Sequence, residues 1–131
     1  MRSLALALKL GAPVFILVGI IHLLLGLQVD VLFGAKIPPE ALLDPAVNSQ
    51  NRFLGVCFSL YGVLLYLCAT DLRKYATVFQ CVIWVFFAGG LARVLSIVTH
   101  GMPPPAILGL MVTELALPPV MALWFARATR G

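Results

Sequence analysis

Apolar residues gather into four long continuous runs, about Leu10–Leu27, Phe53–Ala69, Ala76–Thr99 and Ala106–Phe125. A helix rising about 1.5 Å per residue needs about 20 residues to cross a hydrocarbon core of about 30 Å. Each run approaches or exceeds that length. Inside lipid every backbone N–H and C=O must find a partner within the protein, which leaves helices and closed barrels. A barrel strand alternates apolar and polar positions, whereas these runs are unbroken, so they predict helices. The expected fold is all-α, a four-helix bundle integral to a membrane. It forms a single domain over residues 1–131, with spans of about 10–27, 45–69, 76–99 and 106–125.

The polar stretches between the runs carry their own signals. The connection from Gln28 to Asn48 is the long one; in it, Pro38-Pro39 followed by Glu40-Ala41-Leu42-Leu43 predicts a short interfacial turn of helix. Asp44-Pro45 is a start signal, with Asp44 as the cap and Pro45 at the first helical position, so the second span begins near Pro45. The connection His100–Pro105 is short and stiffened by three consecutive prolines. The first run is expected to stay in the protein, because it is long for a signal peptide and no small-residue cleavage site follows it.

Basic residues sit at the ends of the runs. Arg2 and Lys9 precede the first, Arg73 and Lys74 separate the second from the third, and Arg127 and Arg130 follow the fourth. With four spans these places share one side of the membrane, against Lys36 and Arg52 on the other. The excess predicts that both termini face the cytoplasm of a bacterial inner membrane, in a multi-pass protein.

Composition supports lipid as the second solvent. Hydrophobic residues make up 62% of the chain, charged residues 11%, and the mean hydropathy is +1.06. The net charge of +4 is spread over the helix ends, which argues for topology signals and no nucleic-acid surface. Cys57, Cys68 and Cys81 lie inside apolar runs without metal spacing, so neither a disulfide framework nor a zinc site is expected. No haem motif, phosphate-binding loop or dinucleotide fingerprint is present, and no cofactor is predicted. Trp84, Phe86, Phe87 and Trp124 fit packing and interface anchors.

The candidate chemistry is the set of ionisable residues at membrane depth, which are costly there and face the protein interior or a watery cavity. His22, Arg93 and Glu114 lie roughly 7, 9 and 12 Å below the outer ends of their runs at 1.5 Å per residue, and Arg52 stands at the start of the second helix. Asn48, Arg52, Gly55, Ser59, Gly62 and Tyr66 recur at three- and four-residue intervals, as do Gly89, Arg93, Ser96 and His100 on the third helix. Gly19, His22 and Gly26 do so on the first. Such faces suit close helix packing and equally leave room for a ligand. Pro118 and Pro119 withhold amide hydrogen bonds from the carbonyls of Glu114 and Leu115, which predicts a kink one turn beyond the carboxylate.

Asn51-Arg52-Phe53-Leu54-Gly55 with Tyr61-Gly62 resembles the start of the second helix in a bacterial four-helix membrane family of unknown function, domain of unknown function 4345. Gly89-Gly90-Leu91-Ala92-Arg93-Val94-Leu95-Ser96, His100-Gly101-Met102-Pro103, and Glu114-Leu115 with Pro118 resemble it in the same order. More distantly, the pattern is similar to the small four-helix ergosterol-biosynthesis scaffold protein of fungi, a likeness that implies tethering of lipid-metabolism enzymes without catalysis. Here Ala92-Arg93 and Ser96-Ile97 replace the His-Phe and Ser-Glu of that scaffold.

These observations predict a polar pocket in the outer half of the bundle, binding a membrane lipid or small amphiphile through His22, Asn48, Asn51, Arg52, Ser59, Arg93, Ser96 and Glu114. The structural alternative is an Arg93–Glu114 ion pair that sets helix register. Two further readings stay open: an enzyme on a lipid-like substrate with Glu114 or His22 as acid or base, and a scaffold, homo-oligomer or accessory subunit of a membrane complex. Proton conduction fits less well, because no chain of carboxylates accompanies these groups.

Overall fold

The computed structural model describes Met1–Arg130, and among these residues it is all-α without strands. Four long helices, α1 (Arg2–Leu25), α4 (Pro45–Thr70), α5 (Ala76–His100) and α6 (Pro105–Arg130), are each long and apolar enough to cross a membrane. Two short helices, α2 (Gln28–Leu32) and α3 (Pro39–Leu43), lie in the long connection. The chain is a multi-pass membrane protein. Its exposure pattern agrees with that, since Leu10, Val85 and Val98 are open to the surroundings while the carboxylate of Glu114 is buried.

Helix α1 begins at Arg2, well before the expected start at Leu10. Alanine and leucine from Leu4 to Leu8 are strong helix formers, and Leu4 and Leu8, four residues apart on one face, are fully buried. Lys9 therefore lies inside the helix rather than before it. At the other end α1 stops at Leu25 because Gly26 adopts φ +59°, and its amide donates to the His22 carbonyl at 2.8 Å. That left-handed C-terminal turn favours glycine. The expected cap of α4 is present, with Asp44 Oδ1 accepting from the amides of Ala46 at 2.8 Å and Val47 at 3.0 Å. Pro118 and Pro119 do not divide α6, which runs through both as one helix.

The residues group into two compact units. One comprises Met1–Lys9 with the chain from Leu64 onward; Leu4, Leu8, Leu65, Cys68, Phe79 and Ile83 form its core. There Phe79 packs on Phe125 with ring centroids 5.2 Å apart, and α5 packs along α6. The four-residue connection between those two helices makes them antiparallel neighbours. Cys57, Cys68 and Cys81 are all free thiols.

The other unit, Leu10–Val63, is built on close backbone contact between α1 and α4. A methyl group on Gly55 would stand 2.7 Å from the Gly19 carbonyl oxygen, and one on Gly62 would stand 2.7 Å from that of Ala12. Small residues bring the two backbones together, as membrane helices need in the absence of a hydrophobic drive between them. Phe15 packs on Phe58 and Tyr61 at about the same level, with centroids 5.2 and 5.1 Å away.

Candidate functional site

The first polar site lies between α5 and α6. A cavity of about 330 Å³ is lined by Gly89, Ala92, Arg93 and Ser96 of α5, Pro103 of the connection, and Ile107 and Glu114 of α6. Its geometry follows from two adjacent glycines. A Cβ on Gly90 would meet Leu115 Cδ2 at 2.7 Å and Glu114 Cβ at 3.1 Å, so α5 and α6 touch at that level. Arg93, about one turn further along, then reaches across, and its Nε donates to Glu114 Oε2 at 2.6 Å. Gly89 has nothing within 4 Å of a Cβ position and opens onto space.

The pair leaves capacity unused. A guanidinium has five N–H donors, and among the described residues only the Nε of Arg93 has a protein acceptor. Among the described residues Glu114 Oε1 likewise accepts no hydrogen bond, and the Ser96 hydroxyl has no partner. The Glu114 side chain is 6% exposed and that of Arg93 is 35% exposed. The carboxylate is thus largely buried but still borders the cavity, and the more exposed guanidinium lines it with donors to offer. His100, on the same helical face, instead pairs through Nδ1 with the Thr99 hydroxyl at 2.7 Å.

The second polar site closes the end of α1, within the Leu10–Val63 unit. Arg52 Nη1 donates to the carbonyls of Leu23 at 2.6 Å and Leu24 at 2.9 Å, and its Nε donates to Asn48 Oδ1 at 2.7 Å. The last carbonyls of a helix have no partner in the helix itself and carry its negative end. An arginine supplied by a neighbouring helix satisfies both demands. The Asn48 amide also lies against Gly26, where a Cβ would come within 2.9 Å of its nitrogen. Beside this knot, His22 Nδ1 bonds the Val18 carbonyl at 2.8 Å, and its Nε2 stands 3.7 Å from Asp30 Oδ1. Asn51 Nδ2 donates to Asp30 Oδ2 at 2.8 Å, leaving Asn51 Oδ1 as a buried acceptor without a hydrogen bond.

Residues 3–125 match a protein family described as domain of unknown function (DUF4345). The chain belongs to this family. No curated protein and no solved structure matches it. The family description carries no activity.

Of the residues singled out in the sequence, the structure gathers Arg93, Ser96 and Glu114 around the cavity, and His22, Asn48, Asn51 and Arg52 around the end of α1. Ser59 stands apart at the Gly19 crossing, where its hydroxyl donates to the Ile16 carbonyl at 3.2 Å. Asp30 was not anticipated. Its signal was an acid eight residues beyond His22, which became meaningful only once Gly26 turned the chain and α2 carried Asp30 back. Among the described residues no group of three or more His, Cys, Asp or Glu is placed to hold a metal ion.

Proposed function

We propose that this protein binds a membrane lipid or small amphiphile in the cavity between α5 and α6, with the polar head hydrogen-bonded by Arg93. The observation that carries this reading is the guanidinium of Arg93, anchored by a single bond to Glu114 and lining a cavity of about 330 Å³. Apart from Arg93, Glu114 and the Ser96 hydroxyl, the lining is apolar or small, namely Gly89, Ala92, Pro103 and Ile107. A few polar groups in an otherwise apolar concavity are the general form of a small-molecule site. In the same reading both termini face the cytoplasm of a bacterial inner membrane, as the placing of Arg2, Arg73, Lys74, Arg127 and Arg130 supports. The knot at the end of α1 is then a structural cap, and its Arg52 is not a ligand anchor.

Gly89→Leu tests the proposal without touching the ion pair, because the new side chain enters open space. Native mass spectrometry of the purified wild-type protein should show retained lipid, and Gly89→Leu should lose most of it while keeping its helical circular dichroism. Equal retention by both proteins would sink the proposal.

A further inference from the structure

The cavity between α5 and α6 has a charge balance that narrows its ligand. Arg93 and Glu114 are in direct contact at 2.6 Å, so the site as a whole carries no net charge. A purely anionic head placed on Arg93 also meets the field of Glu114, and repulsion from the carboxylate offsets much of the attraction. A head with both signs meets neither penalty, because each end finds its complement. The unused groups match in kind: N–H donors on Arg93 and the Ser96 hydroxyl for phosphoester oxygens, and Glu114 Oε1 as acceptor for an ammonium.

We propose that the cavity recognises a zwitterionic phosphoester head with a primary ammonium, the chemistry of phosphatidylethanolamine. This inference rests on the reading of the cavity as a lipid site. A primary ammonium keeps N–H groups that Glu114 can accept, whereas a quaternary one has none. The cavity accommodates a head and not two acyl chains, which remain in the bilayer.

The test is a competition read by native mass spectrometry. Detergent-purified protein is mixed with equal amounts of phosphatidylethanolamine, phosphatidylcholine and phosphatidylglycerol. Wild type should retain the ethanolamine lipid at least about threefold over each of the others, a modest specificity ratio for a single matched hydrogen-bonded group. Glu114→Gln leaves the site positive and should invert the order in favour of phosphatidylglycerol. A wild-type preference for phosphatidylglycerol, or equal retention of all three, overturns the zwitterion assignment but leaves a lipid site standing; this arm needs no variant to fold. Lipid retention that Gly89→Leu does not reduce overturns the cavity reading beneath it. Soluble glycerophosphoethanolamine distinguishes the source of the chemistry. Occupancy equal to that of the lipid assigns the site to free phosphoesters, and occupancy far below it assigns the site to the bilayer.

Discussion

Arg52 and Arg93 both belong to helices long and apolar enough to cross a membrane, yet the structure uses them in opposite ways. Arg52 is held by three acceptors from its own unit, Asn48 Oδ1 and the Leu23 and Leu24 carbonyls. Arg93 is held by one, Glu114 Oε2, beside a cavity. The first completes a helix whose last carbonyls lack partners. The second leaves donors directed at space that the protein does not fill. An intramembrane arginine is therefore informative about function only after its acceptors have been accounted for.

Removing each arginine in turn should break that contrast in different ways. Arg93→Ala leaves the buried Glu114 carboxylate without its partner and should destabilise the protein by about 3 kcal/mol, the lower part of the range for an orphaned buried charge. Thermal unfolding in detergent followed by circular dichroism reads this, and Arg93→Ala combined with Glu114→Ala should recover most of the loss. Arg52→Ala should cost less, about 1–2 kcal/mol, because the carbonyls it leaves are neutral groups at an exposed helix end. The same melting experiment checks it, and lipid retention should be unchanged. The adjacent glycines give the smallest effects and the sharpest comparison. Gly90→Ala should lower stability by about 1 kcal/mol through crowding against Leu115. Gly89→Ala should raise it by about 0.5 kcal/mol through helix propensity.

Much of the fold was legible because membrane helices write long apolar runs, and Asp44-Pro45 marked the start of α4 unambiguously. The first boundary was misplaced because Leu4 and Leu8 belong to a helix that begins before the apolar run is continuous. Helix α2 was missed because five residues carry no periodic signal, and its existence depends on the turn at Gly26. At the site, Arg93, Ser96 and Glu114 were readable from helical spacing and from the rarity of charge at depth. Which arginine would be satisfied and which left open was not readable. That distinction depends on where carbonyls of another helix end, a three-dimensional fact with no local code. Gly89 and Gly90 are identical in sequence terms, and only packing shows that one is a contact and the other a vacancy.

The paired prolines of α6 bear on the mechanics of the cavity. Pro118 and Pro119 remove two consecutive rungs of the hydrogen-bond ladder, those that would end on Glu114 and Leu115. A rod with two rungs missing is most compliant there, so bending effort concentrates just beyond the carboxylate. Of the cavity's two helical walls, α6 is the more compliant. The stretch from Pro105 to Leu117 would swing as a lever, with Glu114 close to its pivot and displaced least.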